Sequence, residues 1–351
     1  MKHSFLEICL TLWLILFVPI HVLAQGAKDY HIETIAFYNV ENLFDTENDT
    51  LTFDDDRTPL GKDKWTQERY RVKIANIARV LSEIGTERTG KPPLVIGLCE
   101  IENRSVLEDL ISHPLLTDFK YGIAHYDSPD ERGIDVALLY RKEKFLPLNS
   151  QARKLLIFDA EKRDYTRDQL VVSGLVHGEE INFIVNHWPS RSGGEAKSAY
   201  KREKAALLNK RIIDSLYRLD PKAKIISMGD FNDDPTNISF KKILQTKSDI
   251  IGLKEQELYN PMEKMLKNGQ GTLAYRDSWN LFDQFYVSQS LVSRDFKGFQ
   301  FYKAGIFNKP FLISQNGQYR GYPRRTYGSS GYEPGYSDHF PIYMYLIKEA
   351  K

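Results

Sequence analysis

The sequence predicts one mixed α/β domain over residues 28–350, and three observations support this fold class. Short apolar, β-branched runs recur along the chain and are bounded by turn-forming or charged residues. Two longer stretches between these runs carry apolar residues at three- and four-residue spacing, which is typical of amphipathic helices. No repeat, low-complexity linker or change of composition divides this part of the chain.

Composition limits what the domain can do. The chain has 351 residues, of which 42% are hydrophobic and 27% are charged, and this is typical of a folded globular protein. These values exclude a disordered or fibrous chain. The formal net charge is only +1, so the protein lacks the global positive field of a strong non-specific nucleic-acid binder. Any recognition of phosphate must therefore be local.

The N-terminal residues 1–24 are predicted to be a secretory signal peptide. Basic residues at the start precede an apolar run over residues 8–20 and small or apolar residues before Gln25, so cleavage is expected after Ala24. The alternative is an uncleaved anchor, but the run is shorter than the ~20 residues of a membrane-spanning helix. The mature chain is expected to be secreted or periplasmic, with no later transmembrane segment. Its one cysteine, Cys99, excludes an internal disulfide and a thiolate metal site.

The elements follow in order along the chain. Apolar runs predict strands at 32–40, 93–101, 134–141, 169–176, 181–188, 223–231, 281–288 and 340–347. Helices are predicted at 64–84 and 195–219. Segments 45–63 and 316–336 are expected to be long loops.

Several predicted strands end on oxygen-bearing or imidazole side chains. They are Asn39 and Glu41, Glu100 and Glu102, Asn186 and His187, Asp230 and Asn232, and Asp338 and His339. Side chains two residues apart in a strand point the same way, so Asp230 and Asn232 should project together. Converging buried carboxylates are costly unless a cation lies among them. Oxygen ligands without a histidine or cysteine cluster favour Mg²⁺, with Mn²⁺ or Ca²⁺ as alternatives.

Seven segments together resemble the motif series of the endonuclease/exonuclease/phosphatase superfamily, which includes DNase I-like nucleases. In chain order they are "FYNVENLFD", "GLCEIEN", "GIDVALLYR", "VNHWPSRSGG", "MGDFNDDP", "LFDQFYVS" and "YSDHFP". Each is weak alone, but their order over residues 32–347 is specific. The "NHWPSR" form is similar to secreted bacterial members. The resemblance implies a four-layer α/β sandwich, with two mostly antiparallel sheets packed face to face and helices outside.

The resemblance also implies roles for individual residues. It assigns catalysis to His187, Asp230, Asn232, Asp283 and His339, and metal binding to Asn39, Glu100 and Asp338. In this assignment Asp230 activates the attacking water, His339 contacts the scissile phosphate and Asp283 orients His339. Gln284 departs from the histidine or tyrosine of many relatives, and this weakens the match at Asp283.

The substrate is expected to be DNA or RNA, bound by arginines beside the site. Arg132 is a loose match to a phosphate-binding arginine, and the loop before Asp338 supplies Arg320, Arg324 and Arg325. The alternative is a phosphatase or phosphodiesterase of the same fold that acts on small phosphate esters, namely nucleotides, inositol phosphates or phospholipid head groups. A binding module without catalysis is the alternative from another class. The chain is expected to be a monomer.

Two structural interpretations compete with these roles. Asp230 and Asn232 would also form an Asx turn after a strand. Glu102 is predicted to cap the helix that follows it rather than to enter the site.

Overall fold

The computed structural model describes residues 29–328 and 331–350. The predicted signal peptide lies outside this part of the chain. Within it, no helix combines the length and the apolar character needed to cross a membrane.

Strands are numbered β1 to β18 along the chain, and the first large sheet contains six of them. From edge to edge they are β15 (Gln300–Ile306), β18 (Ile342–Glu349), β1 (Tyr30–Leu43), β2 (Val95–Ile101), β4 (Asp135–Arg141) and β3 (Tyr121–His125). Neighbouring strands are antiparallel except β1 and β2, which run parallel.

The second large sheet has the same plan. From edge to edge it contains β11 (Leu258–Tyr259), β14 (Asp283–Ser288), β10 (Ile225–Asp230), β9 (Glu179–His187), β8 (Gln169–Val176) and β5 (Phe145–Arg153). Its one parallel pair is β9 and β10. Each large sheet is therefore mostly antiparallel with one central parallel pair.

The remaining elements are two-stranded ribbons, helices and short turns. Two-stranded ribbons are formed by β6 (Ile157–Asp159) with β7 (Lys162–Asp164), β12 (Leu273–Tyr275) with β13 (Ser278–Asn280), and β16 (Tyr327–Gly328) with β17 (Gly331–Tyr332). The α-helices are α1 (Gln67–Glu83), α2 (Thr86–Thr89), α3 (Arg104–Ser112), α4 (Glu195–Leu219) and α5 (Met262–Lys267). Short 3₁₀ turns lie at Asp55–Arg57, Thr117–Phe119, Gln289–Leu291 and Pro310–Leu312, and a π turn at Ser239–Leu244.

The main core lies between the two sheets. Phe37 of the first sheet and Val185, Met228 and Phe285 of the second are fully buried in it. Gly97 lets the sheets approach closely, because a Cβ at this position would lie 2.8 Å from the Met228 sulfur. Burial of such large side chains stabilises the sandwich by roughly 1.5–3 kcal/mol each.

Helices cover the outer faces of both sheets. The predicted helix at 64–84 is α1, and it buries Ile74, Ile77 and Leu81 in a core with outward-facing residues of the first sheet. The predicted helix at 195–219 is α4, and its apolar side forms a core with the outer face of the second sheet. The layers are therefore helix, sheet, sheet and helix, and the predicted four-layer sandwich is confirmed.

Candidate active site

Polar ends of strands from both sheets meet at one end of the sandwich. The parallel pairs β1/β2 and β9/β10 place their carboxyl ends side by side, and Asp230 is the register partner of both His187 and Asp283. These side chains share the phase of the buried residues between the sheets. Asn39 bridges the two sheets, since its Nδ2 donates to Asp230 Oδ2 at 3.0 Å. The predicted convergence of these residues is present.

His339 lies between two buried carboxylates. Its Nδ1 is 2.6 Å from Asp283 Oδ2, and its Nε2 is 3.8 Å from Asp230 Oδ2. Burial alone lowers the pKa of His339, but the charges of Asp283 and Asp230 outweigh burial and raise the pKa well above its ordinary value. The imidazole is therefore held as a cation near neutral pH.

Asp230 occupies the centre of this group. Burial, partly offset by the charge of His339, raises the pKa of Asp230 to about 6. Its Oδ1 accepts the backbone N–H of Asn232 at 3.0 Å, so the predicted Asx-type contact is also present. Asn232 has a positive φ of 51°, and its Nδ2 donates to the Trp188 carbonyl at 2.9 Å. These two hydrogen bonds hold the loop after β10 next to the Asp230 carboxylate.

His187 has the opposite protonation state from His339. Its Nε2 is 3.7 Å from Asp230 Oδ2 and 3.9 Å from Glu100 Oε1. Burial and the positive charges of Arg167 and Arg132 lower the pKa of His187 well below its ordinary value. Its Nδ1 has no hydrogen-bond partner among the described residues. The neutral imidazole of His187 and the cationic imidazole of His339 thus both face the Asp230 carboxylate.

Glu100 reaches the site through a bulge in β2. Its φ is +63°, and the pairing of β2 with β4 shifts register between Cys99 and Ile101. The bulge re-aims a side chain that strict alternation would place opposite Cys99. Glu100 Oε2 accepts the Asn42 N–H at 2.9 Å and lies 3.6 Å from Arg132 Nη2.

A second charged group adjoins the first and contains the predicted metal ligand Asp338. Arg325 Nη2 donates to Asp338 Oδ2 at 2.7 Å, and its Nε lies 3.7 Å from Glu41 Oε1. Fully buried Lys73 lies 3.7 Å from Glu41 Oε2 and donates to Thr326 Oγ1 at 2.6 Å. Burial raises the pKa of Glu41 and lowers that of Lys73. In this group the carboxyl groups of Glu41 and Asp338 therefore lie among the basic side chains of Arg325 and Lys73.

Glu41 is one of the predicted strand-end residues but was assigned no role, and Lys73 was not predicted to lie at the site. The signal for Glu41 is its place two residues after Asn39 in the same strand. The signal for Lys73 is its position among the apolar residues Tyr70, Ile74 and Ile77 of α1, where a lysine is unexpected.

A cavity of about 410 Å³ reaches the second charged group and, of the first group, Glu100, which lies 3.9 Å from His187 Nε2. Arg132 and Arg325 line it, together with Glu41, Glu100 and Asp338. Arg320 is exposed, and Arg324 lines a different cavity. The structure thus brings two of the four predicted substrate arginines to the site, and the phosphate contacts of the other two stay predictions.

Comparison with known proteins identifies the family. Residues 34–348 match the endonuclease/exonuclease/phosphatase family. The chain belongs to this family. Its members are hydrolases of phosphoric esters, and the predicted superfamily is confirmed at this level. No protein in a search of the curated proteins matched the chain.

Solved structures of this family share the fold. TDP2 of D. rerio in complex with a single-strand DNA product is 14% identical, with a TM-score of 0.52, over 90% of this chain and 98% of that chain. The human Nocturnin catalytic domain with bound sulfate is 15% identical, with a TM-score of 0.54, over 92% and 97%. A family protein from Bacteroides thetaiotaomicron is 18% identical, with a TM-score of 0.53, over 92% and 97%.

The side chains at the site suit a divalent cation of the kind that this family uses. Carboxylate oxygens come from Glu41, Glu100, Asp230 and Asp338, and an amide oxygen comes from Asn39 Oδ1, which also accepts the Glu41 N–H at 3.0 Å. Such oxygens are ligands for hard cations. The one described cysteine, Cys99, is fully buried, and burial raises the pKa of its thiol. Among the described residues, Asp230, Asp283 and His339 also form one of two compact clusters of potential ligands. The donor set therefore fits a hard cation and not a thiolate-bound metal.

Glu102 does not cap the following helix, and that prediction was wrong. Asn103 caps α3 by accepting the Val106 N–H at 3.1 Å, while Glu102 Oε2 accepts the Asp45 N–H. Burial, together with the charges of Asp45 and two further aspartates, raises the pKa of Glu102 to about 8. The shorter side chain of Asn103 thus takes the N-cap position. Glu102 lies instead among acidic side chains.

Replacing Glu102 with glutamine is expected to stabilise the protein at alkaline pH. A raised folded-state pKa means that the unfolded chain releases this proton first, so stability is lost as pH rises from about 4.5 to about 8. Glu102→Gln removes that loss, and we expect Tm at pH 8 to rise by about 2–4 °C for each kcal/mol recovered. Thermal unfolding at pH 5 and pH 8 tests this. An equal change at both pH values would contradict it.

Proposed function

We propose that this protein is a divalent-metal-dependent phosphodiesterase that hydrolyses nucleic acids by in-line attack of water. The observation that supports the proposal most is a pair of buried histidines whose Nε2 atoms lie 3.7 and 3.8 Å from Asp230 Oδ2, in environments that raise the pKa of His339 and lower the pKa of His187. Titratable groups whose environments drive their pKa values apart are the mark of acid and base roles. A structural ion pair would not need both histidines.

Asp230 is proposed to take the proton of the attacking water. Its pKa of about 6 leaves the carboxylate ionised at neutral pH and close to the ideal strength for a general base. Asn39, bonded to Asp230, and Asn232, beside it, orient this base. His339 is proposed to donate its Nε2 proton to a phosphoryl oxygen as negative charge develops there. His187, neutral and near both Asp230 and Glu100, is proposed to accept a hydrogen bond from the water or the substrate.

Asn39, Glu100 and Asp338 are proposed to hold the metal ion, with Mg²⁺ preferred and Mn²⁺ or Ca²⁺ as alternatives. When bound, such an ion supplies Lewis-acid stabilisation of the phosphoryl oxygens. Arg132, within 3.6 Å of Glu100, is proposed to contact the same oxygens.

Nucleic acid is the proposed substrate. The TDP2 structure named above was determined with a single-strand DNA product, and the cavity carries Arg132 and Arg325 with Tyr327. Arginine pairs with phosphate, and tyrosine stacks on a base or a sugar.

Small phosphate esters are the second candidate. Four acidic residues line the same cavity, and the chain has a net charge of only +1, so a long polyanion gains little from long-range attraction. A pure binding module is disfavoured because the buried acid and base groups are all present.

Asp283→Asn is expected to lower kcat by about 10- to 100-fold. Asparagine keeps the shape of the side chain but removes the charge that holds His339 protonated at 2.6 Å. The pH profile separates this cause from a structural one. The alkaline limb of kcat should move to lower pH in Asp283→Asn, and an unchanged limb would contradict the role given to Asp283.

Supercoiled plasmid, single-stranded DNA, single-stranded RNA and p-nitrophenyl phosphate, each with Mg²⁺ or EDTA, test the substrate proposal. Cleavage of a nucleic acid in Mg²⁺ and not in EDTA supports the proposed function. Hydrolysis of p-nitrophenyl phosphate alone would replace it with a phosphomonoesterase. Failure on all four substrates would favour a narrower ester or the binding module.

Export as a monomer is part of the proposal. It depends on residues 1–24, which have the charge and apolar pattern of a signal peptide. N-terminal sequencing of the natural protein should begin at Gln25, and light scattering should give the mass of one chain. An intact Met1 would contradict export by cleavage.

A further inference from the structure

Four residues of the cavity take no part in the proposed hydrolysis. They are Arg57 and Asp63 of the 45–63 loop, Trp65 just before α1, and Tyr327 of the 316–336 loop. The remaining lining residues belong to, or adjoin, the charged groups already described. We call these four residues the loop wall.

The loop wall is held in place by hydrogen bonds from side chains to backbone carbonyls. The Tyr327 hydroxyl donates to the Asp63 carbonyl at 3.0 Å, and Arg69 of α1 donates to the same carbonyl at 2.6 Å. The indole N–H of Trp65 donates to the Phe44 carbonyl at 3.0 Å. Contacts that join segments so distant in the chain give the wall a defined shape before any ligand arrives.

The side chains of the wall offer a donor, an acceptor and a flat ring. Arg57 Nη1 lies 2.7 Å from Asp63 Oδ2, with the two side chains 26% and 19% exposed. The Arg57 guanidinium lies 5.6 Å from the centre of the Tyr327 ring. The pair leaves one carboxylate oxygen and further guanidinium N–H groups free of any hydrogen bond to the described residues.

This chemistry discriminates among ligands. A second phosphate would meet the negative charge of Asp63, and a lipid chain would bury the ion pair without bonding to it. A hydroxylated sugar satisfies all three groups, since its hydroxyls both donate and accept and its ring packs on tyrosine. Trp65 and Tyr327 are the two aromatic residues of the cavity lining, and every other lining residue is polar or charged.

We propose that the loop wall binds a sugar with free hydroxyls that is attached to the reacting phosphate. The inference rests on the proposed function and narrows its substrate. Tyr327 is two residues from Arg325, so the wall lies within about 7 Å along the chain from the charged groups of the site. An internal deoxyribose of DNA has no free hydroxyl, whereas ribose keeps its 2′-hydroxyl. The favoured sources are therefore RNA and small sugar phosphates.

Isothermal titration calorimetry in the His339→Ala background, where turnover is removed, tests the wall. The probes are ribose 5-phosphate, phenyl phosphate and inorganic phosphate, with Mg²⁺ present. Ribose 5-phosphate is expected to bind about tenfold or more tightly than phenyl phosphate, because hydrogen bonds to charged groups are among the stronger ones. The double variant His339→Ala, Asp63→Ala is expected to lose the preference for ribose 5-phosphate over phenyl phosphate. Lys62 is the exposed neighbour of Asp63, and the control double variant His339→Ala, Lys62→Ala should keep this preference.

Equal affinity for the two esters, or an equal loss for all three probes in Asp63→Ala, would overturn the proposal. A single-stranded RNA and a DNA of the same sequence, titrated alongside, identify the source. RNA that binds more tightly than both DNA and ribose 5-phosphate assigns the sugar to a polymer, and weaker RNA assigns it to a small ester. Hydrolysis of bis-p-nitrophenyl phosphate by the unmodified protein, measured separately, tests the proposed function independently of the wall.

Discussion

Replacing His339 with alanine is expected to lower kcat for phosphodiester hydrolysis by about 10³-fold. The variant removes a proton donor that Asp283 and Asp230 hold in its cationic form inside a buried site. Loss of one general acid or one charge-stabilising donor of this kind costs about 10²- to 10⁴-fold in rate. Binding of substrate should be affected much less, since His339 is proposed to act mainly on charge that develops in the transition state.

The effect should appear in kcat measured under saturating substrate and metal. His31→Ala is a matched control, because His31 is exposed near the start of β1, at the opposite end of that strand from Asn39. A folded His339→Ala variant with more than a tenth of the original kcat would remove His339 from the mechanism.

Replacing Glu100 with glutamine is expected to weaken metal binding by about 100-fold or more and to abolish turnover at ordinary metal concentrations. Glutamine keeps the length of the side chain and can still accept the Asn42 N–H. The variant therefore removes charge with little change of shape. Excess metal should restore part of the activity if Glu100 acts as a ligand.

Glu102→Gln, two residues further along, is the matched control. It makes the same chemical change at a carboxylate bonded to the Asp45 N–H, outside the cavity lining. Calorimetric titration with Mn²⁺ should show loss of affinity in Glu100→Gln only. An equal loss in both variants would indicate that the carboxyl-to-amide change disturbs this part of the fold and that Glu100 is not a ligand.

The central strands could be predicted from the sequence, and the edge strands could not. The eight predicted strands correspond to the four inner strands of each sheet, which are apolar because both of their faces are covered. The strands at the edges are β3, β15, β5 and β11. β5, for example, reads "FLPLNSQAR", with a proline and an exposed face, and such a pattern lacks a strand signal.

The site could be predicted where strand alternation holds. His187, Asp230 and Asp283 project between the sheets as their phase requires. Alternation fails at Glu100, where a bulge with a positive φ turns the side chain. A bulge depends on the pairing of neighbouring strands, so its position is not contained in the local sequence. The motif resemblance found Glu100 where periodicity alone would have placed it on the other face.

Contacts between distant segments were the part that the sequence did not reveal. Lys73 of α1 contacts Thr326, and the Arg57–Asp63 ion pair of one loop lies against Tyr327 of the other loop. Each depends on how two long loops fold onto the sandwich, and neither loop carries a periodic pattern. The substrate-side wall of the cavity therefore emerges only from the structure.

The initial rate of bis-p-nitrophenyl phosphate hydrolysis, measured against Mg²⁺ concentration for the unmodified protein and for His339→Ala, tests the central claim most directly. We expect a rate that saturates with Mg²⁺, vanishes in EDTA and falls about 10³-fold in the variant. Hydrolysis that persists in EDTA, or that proceeds equally in His339→Ala, would contradict metal- and histidine-assisted cleavage at this site.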